Sequence, residues 1–517
     1  MTADTASQAT VQPARASNTT AAGSTTTAAT LTLRLAHLAA RWCSVLAGLA
    51  LSVLFVVVGV QSVGLAWPVT HPEGAFVATV LRVRNGEPLY QNFHQFPHLI
   101  APYPPLQPVV SGLLSRMFGL SVLETVTLAR SLTLAASVAS AVLVGLVARQ
   151  CGAAPLAALA GATLFLPLPF LDEWGFSTRP DLPALALSLL ALLLLLKRPD
   201  RPWLAAAVAV LAFFTKQTAI AMPVAAVCWL VLTGRWRGAL AFCATWGVLV
   251  GASVGFLELV TGGTYLLNTL LAHLNTPKNG MDLATRDLMP LFSDAWPAFV
   301  LLLGSLLLAI RNRQVWLPLL YTAVSTILAL FTLRNTGSDM NYLIEPAAAA
   351  SAAAAVAISW LWRTDGGPRL HLLRVGASVA LAGVVLFWGS GIWEFWRLDG
   401  GVNPDRLPME QLAAADSIFS DEPLLVLLAG KPLLVSDTFH LSQLSTSGFF
   451  DPLELERRIK RSEFDLIVMR SDVRAARSWK RQLLLTETVR LAIKDTYVPA
   501  GRVGIYWLYK PEDRRGR

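Results

Sequence analysis

The chain has 517 residues, of which 54% are hydrophobic and only 15% are Asp, Glu, Lys or Arg, and its mean hydropathy is +0.53. That balance excludes an ordinary soluble globule and points to a polytopic membrane protein. The net charge of +9 follows the distribution of Lys and Arg among loops, so it reads as a topology signal and not as a nucleic-acid surface.

Residues 1–33 are rich in Ala, Thr and Ser and lack an apolar core, which predicts a disordered cytoplasmic tail. Apolar runs then recur at about 42–66, 124–148, 153–171, 182–196, 202–215, 218–233, 237–260, 291–310, 314–333, 343–362 and 372–393. A spanning helix needs roughly 20 such residues, so about eleven spans are expected. The runs do not alternate as the strands of a transmembrane barrel would. With the N-terminus inside, every inner loop carries Lys or Arg, among them Arg41, Arg149, Lys197, Arg235, Arg311 and Arg374. An odd number of spans places the tail beyond about Arg397 outside. The expected organisation is a tail over 1–33, a membrane module over 34–396 with its first outer loop at 67–123, and an extracytoplasmic α/β domain over 397–517 in the envelope of a cytoplasmic (inner) membrane. The four cysteines, Cys43, Cys151, Cys228 and Cys243, lie in or beside spans and give no disulfide framework.

Three outer segments exceed ordinary connections, and long connections tend to carry function. In the first, Phe76–Arg84 and Leu106–Phe118 have helical apolar spacing but cannot span, so they are expected flat on the outer leaflet, as is Tyr265–Leu274. In the tail, the pattern predicts helices at Glu410–Ile418, Glu454–Lys460 and near Ala475–Leu484. Strands are expected at Leu424–Leu428, Pro432–Val435 and Asp465–Met469, and a hairpin joins Leu491–Val498 to Val503–Tyr509 across 499–502.

Polar residues gather in the outer connections. Glu73 stands where the first helix leaves the membrane. A lone carboxylate there is most often solvated, but this loop also holds Arg82, Tyr90, His94, His98 and Tyr103. Asp181, within Arg179-Pro180-Asp181, either caps the next helix or serves as a functional acid, and one residue can do both. Lys216 sits between apolar flanks as a snorkelling lysine or an anion contact, and ionisable groups at membrane depth favour the second. Asn341 and Tyr342 close a fourth cluster before a late span. The His94/His98 spacing is interrupted by Phe96-Pro97 and is weak as a metal signal. Asp437 and His440 are the most suggestive polar pair of the tail, but a loop after a strand accounts for them and they stay outside the catalytic set. Neither a phosphate-cradling Gly-rich loop nor a trustworthy nucleophile elbow occurs.

In order, Glu73, Gly86 to Tyr90, Pro104-Pro105-Leu106, Asp181 and Asn341-Tyr342 resemble the motifs of the GT-C superfamily of integral-membrane glycosyltransferases, in the bacterial branch of aminoarabinose transferases and protein O-mannosyltransferases. Two departures stand out: Pro72-Glu73 replaces paired acids, and Tyr103 replaces a Lys before Pro-Pro-Leu. The resemblance implies inverting transfer of a sugar from a polyprenyl-phosphate donor to a hydroxyl on a lipid, polysaccharide or protein acceptor. It implies Glu73 as general base, Asp181 as a second acid, and Lys216, Arg82, Arg179 and Tyr103 around the donor phosphate. Tyr90, Asn341 and Tyr342 then contact substrate. No cofactor is required, and a divalent cation (Mg or Mn) remains compatible with the two acids. A transporter or flippase for a lipid-linked or anionic substrate is the alternative, although the acids sit outside the spans and not near the midplane.

Overall fold

The structure, a computed structural model, describes residues 19–169, 171–273, 277–278, 280, 285, 289, 315–363, 368–399, 407–475 and 484–512. Ten of the expected apolar runs coincide with helices: Thr19–Val63, Val122–Gln150, Pro155–Phe165, Asp181–Lys197, Pro202–Thr215, Ala221–Leu232, Trp236–Val260, Trp316–Leu333, Ile344–Arg363 and Pro368–Asp399. The run at 291–310 lies outside the described residues, as does most of the helix expected near Ala475–Leu484. Six helices among the described residues are long and apolar enough to cross a membrane. The other four have 11, 17, 14 and 12 residues. The first helix begins at Thr19, inside the stretch expected to be a disordered tail.

Local chemistry sets several of these ends. Ser121 and Glu124 form a reciprocal capping box at the start of Val122–Gln150. Pro155 and Pro202 occupy first turns, where a missing N–H costs nothing. Inside the bundle, the first helix packs along Pro368–Asp399, Asp181–Lys197 lies between Val122–Gln150 and Pro202–Thr215, and Ile344–Arg363 packs on Pro155–Phe165 and Trp316–Leu333. The Ala-rich face of Ile344–Arg363 suits this close approach.

The long loop at 67–123 folds into helices Glu73–Asn85 and Leu106–Met117. Only the second keeps an apolar face outward, with Leu113 53% and Met117 67% exposed. The first is not flat on a lipid surface as expected. Its residues Glu73 to Arg82 are buried between Leu106–Met117, Val122–Gln150 and the tail helix Pro423–Leu428. Gly74 permits that contact, because a Cβ there would lie 2.5 Å from the Leu424 backbone nitrogen.

The tail is a small α/β domain whose sheet has the order β1-β2-β4-β3, with β1 (Ile418–Ser420) parallel to β2 (Leu466–Met469). β3 (Tyr497–Val503) and β4 (Tyr506–Pro511) form a hairpin, but most of the strand expected at Leu491–Val498 is the end of the helix Glu487–Thr496, so only Tyr497 and Val498 of that run lie in β3. The hairpin turn falls at Gly504-Ile505 instead of 499–502, so that Arg502 pairs with Trp507. Leu424–Leu428 is helical, not a strand, because Pro423 starts a turn that its apolar residues bury against the first loop. Pro432–Val435 contributes only an isolated bridge from Val435 to His98.

That bridge marks how the tail is seated. The His98 N–H donates to the Leu434 carbonyl at 2.9 Å, and the Ile100 N–H donates to Ser436 Oγ at 2.8 Å. Phe93 and Ile100 of the first loop share one apolar cluster with tail residues Phe419, Val435, Ile467 and Tyr509. A polar contact flanks this seam: His71 Nδ1 lies 3.4 Å from Glu422 Oε2, beside Asp421 and Arg470. Burial would lower the His71 pKa, but the hydrogen bond and charge of Glu422 outweigh it and raise it above 6.5. Burial pushes the Asp421 carboxyl up to about 6 from 3.8. Both groups have raised folded-state values, so their stabilising contribution is complete at low pH and is lost as the pH rises through those values. Docking of the tail should therefore loosen from about pH 4 to beyond 6.5. Hydrogen exchange of residues 423–428, corrected for intrinsic rate, should show lower protection at pH 8 than at pH 5. Equal protection would contradict it.

Candidate functional site

Arg130 projects from Val122–Gln150 and is fully buried. Its Nε and Nη2 donate to the two oxygens of Glu73 at 2.8 Å each, its Nη1 to the Leu65 carbonyl at 2.6 Å and its Nη2 to the Trp67 carbonyl at 2.7 Å. Glu73 also accepts from the backbone N–H of Val69 at 2.8 Å and of Thr178 at 2.7 Å. Burial would raise its pKa, but the Arg130 charge and these four hydrogen bonds hold it below the usual carboxylate range. Every oxygen lone pair of Glu73 that faces a donor is thus in use, and the side chain has no exposure. Held this way, Glu73 anchors the start of the first-loop helix to Val122–Gln150 and to Thr178.

Thr178 leads directly into the second polar centre. Asp181 Oδ1 accepts from Lys216 Nζ at 2.6 Å and from Asn341 Nδ2 at 2.7 Å, and its Oδ2 accepts from Arg179 Nε at 3.2 Å. Lys216 lies 4.4 Å from the centre of the Tyr342 ring. The Arg179 guanidinium stacks over Trp174 at 4.2 Å and Phe76 at 4.9 Å. Lys216 closes the end of Pro202–Thr215, where the helix breaks and its side chain turns inward instead of snorkelling. Five residues singled out in three separate connections therefore meet in one cluster: Asp181, Arg179, Lys216, Asn341 and Tyr342. The loop before Asn341 also turns at Gly337, with φ +87° and the Phe439 ring 2.3 Å from where a Cβ would stand, so only glycine fits there.

Tyr103 borders this cluster, its ring 4.8 Å from Phe76 and 5.6 Å from His273. Burial pushes its phenol well above its usual pKa. His273 in turn faces His440 of the tail at 5.6 Å, and burial together with His440 lowers its pKa to about 4, leaving it neutral at pH 7. His440 Nδ1 is 2.6 Å from Asp437 Oδ2, and the Asp437 carboxylate also caps the His440 backbone N–H at 2.9 Å. Burial would raise the Asp437 pKa, but the charge and hydrogen bonds of His440 hold it low. The pair left out of the catalytic set thus reaches the site, brought there by the seam between the tail and the first loop.

Two cavities lie here, one against Asp181 and Lys216 and the other against Tyr103 and Thr178. One of about 40 Å³ is lined by Asp181, Lys216, Asn341, Tyr342 and Glu345 and continues between Asp181–Lys197 and Trp316–Leu333, whose lining side chains mix Leu and Ala with Ser and Thr. The other, about 10 Å³, is lined by Phe76, Thr79, Tyr103, Gln107 and Thr178. Arg82 and Tyr90 belong elsewhere. Arg82 Nη2 donates to the Pro88 carbonyl, while the Tyr90 hydroxyl donates to the Tyr103 carbonyl and its ring meets Tyr265 edge-on at 5.2 Å. Arg82 Nε and Nη1 have no hydrogen-bond partner among the described residues. His98 Nδ1 donates to the Phe93 carbonyl at 2.9 Å, which makes it a loop fastener. Among the described residues no three His, Cys, Asp or Glu side chains gather as a metal site.

Residues 103–260 match the sequence model of the dolichyl-phosphate-mannose-protein mannosyltransferase family. The fold is similar to that of ArnT from Cupriavidus metallidurans bound to undecaprenyl phosphate, with a TM-score of 0.57 and 14% identity over 90% of this chain and 98% of that one. It is also similar to the oligosaccharyltransferase AglB from Archaeoglobus fulgidus in complex with an inhibitory peptide and a dolichol-phosphate, with a TM-score of 0.54 and 12% identity over 91% and 75%. No curated protein matches the sequence. The chain has the GT-C fold, as the order of its motifs implied.

Removing one partner of a buried ion pair strands the other charge, at a cost of about 3–5 kcal/mol. Glu73→Gln and Arg130→Met should each lower thermal stability on that scale, and the Glu73→Leu/Arg130→Met double variant should lose much less than their sum. Thermal unfolding of the detergent-purified chain reads this, and an unchanged midpoint for Glu73→Gln would restore Glu73 as a free acid.

Proposed function

We propose that the chain is an inverting glycosyltransferase that moves a sugar from a polyprenyl-phosphate donor to an extracytoplasmic hydroxyl. The observation that carries this reading is the convergence of Lys216, Arg179, Asp181 and Asn341 in a GT-C fold, where the apolar bundle meets the outer domain. Lys216 in the lining of the larger cavity, with Arg179 held by the same Asp181 carboxylate, suits a phosphate whose lipid tail runs between the helices. The likeness to a chain bound to undecaprenyl phosphate and another bound to dolichol-phosphate supports the same donor class.

In this reading Lys216 and Arg179 neutralise the leaving phosphate, so no general acid is needed. Asp181 holds both cations in place and Asn341 fixes its second lone pair, which leaves Asp181 a positioning role. Tyr103 and Tyr342 wall the sugar. The acceptor hydroxyl approaches from the outer domain, where His440 takes its proton on Nε2 while Asp437 keeps Nδ1 protonated and the ring oriented, the arrangement of an activated Asp–His pair. Glu73 then serves through Thr178, by holding the segment that carries Arg179 and Asp181. Attack opposite to the departing phosphate inverts the anomeric centre without a covalent sugar–enzyme intermediate. The residues fit reaction without a metal, and a divalent cation is not needed for any of these roles. The transporter alternative has less support, because the charged cluster closes one end of the bundle and does not line its middle.

Membranes of cells producing the chain, supplied with a polyprenyl-phosphate hexose, give the test through mass-spectrometric counting of released polyprenyl phosphate. Lys216→Ala should weaken donor retention by the purified protein and slow release. His440→Gln should retain the donor yet slow release by about 10²–10⁴-fold. Wild-type release by His440→Gln would remove it as the base. Full retention and release by Lys216→Ala would remove the phosphate site.

A further inference from the structure

A second basic cluster lies at the opposite end of the bundle. His37 and Arg41 of the first helix face His371 and Arg374 of Pro368–Asp399. Val63, at the site end of the first helix, is 26 residues from His37, or about 39 Å at 1.5 Å per residue. The His37 and His371 rings are 6.4 Å apart, Arg374 Nη1 lies 3.5 Å from His371 Nδ1, and the Arg41 guanidinium stacks over Trp362 at 5.0 Å. His37, His371 and Arg374 are 4–6% exposed. No carboxylate among the described residues pairs with them, and four nitrogens are buried without a partner: His37 Nε2, Arg41 Nε, and Arg374 Nε and Nη2.

Ordinary inward-facing positive charge does not explain this. Lysines and arginines that merely set topology extend their heads to water, whereas Arg374 is enclosed with two donors unused. A buried guanidinium without a counter-charge is strongly unfavourable. Its planar fork matches the oxygens of a phosphate. We propose that this cluster is an anion site that binds a phosphate group, in the form carried by an anionic membrane lipid. The apolar side chains Leu35, Leu38, Leu372 and Leu373 stand 46–60% exposed around it, a surface for the acyl chains of the same molecule. Bound there, the phosphate ties together the two helices that lead at their other ends into the first outer loop and the tail, without entering the transfer reaction itself.

The full chain in a neutral-headgroup detergent provides the test. Thermal unfolding is followed with phosphatidylglycerol, with diacylglycerol of the same acyl chains, and with inorganic phosphate. Phosphatidylglycerol should raise the midpoint by a few degrees and diacylglycerol should not. A rise with inorganic phosphate as well would assign the same site to free phosphate as its source. Arg374→Gln and Arg41→Gln should each abolish the rise, and because they remove an unpaired charge they should unfold no earlier than the wild type without lipid. Native mass spectrometry of phosphatidylglycerol adducts on the milder His37→Gln variant gives a second readout, with a reduced adduct count expected. A rise that survives Arg374→Gln, or no rise with either phosphate-bearing probe, would overturn the proposal.

Discussion

One fully buried ion pair organises the end of the bundle where the first loop and the tail meet. Arg130 enters the bundle from a long apolar helix and finds its only described counter-charge in Glu73, which begins the first-loop helix. Its Nη1 and the second N–H of Nη2 take the Leu65 and Trp67 carbonyls just beyond the first helix, and the remaining capacity of Glu73 takes the N–H groups of Val69 and Thr178. Three stretches distant in sequence, residues 65–73, Arg130 and Thr178, are thereby fixed at one point. Neither charge could remain alone in this environment, since a guanidinium or carboxylate left unpaired there would cost several kcal/mol. The strictness of the pairing is what gives the neighbouring segment its precision.

The consequence lies three residues beyond Thr178, where Asp181 collects Lys216, Arg179 and Asn341. Each comes from a different connection, so the cluster exists only when the bundle, its loops and the Glu73–Arg130 pair agree. The tail completes the arrangement by strand-like pairing of residues 434–436 with 98–100, which brings His440, paired with Asp437, against His273, whose ring in turn meets Tyr103. The fold thus supplies cations on the bundle side and a histidine–carboxylate pair on the outer-domain side. A phosphate-linked sugar and a hydroxyl are the partners whose chemistry fits that division.

Much of this was legible in the sequence because membrane burial leaves few polar positions to consider. Asp181, Lys216 and Asn341 stood out as polar residues between apolar runs, and the structure joins them. Glu73 was equally visible, but its role was not, because the ion pair depends on Arg130, 57 residues away in a span. An arginine inside an apolar run was itself a signal that a partner had to exist. Asp437 and His440 resemble any loop pair until the tail docks, and nothing local encodes that docking. Leu424–Leu428 misled because a short apolar run suits a strand or a buried helical turn equally, and the outcome turned on packing against Gly74.

A cryo-electron microscopy structure of the full chain with a polyprenyl phosphate tests the central claim most directly. The account predicts the phosphate within hydrogen-bonding distance of Lys216 Nζ and the Arg179 guanidinium, with the lipid running between Asp181–Lys197 and Trp316–Leu333. A phosphate bound away from both cations, or a lipid in a pathway open through the middle of the bundle, would contradict it and favour transport.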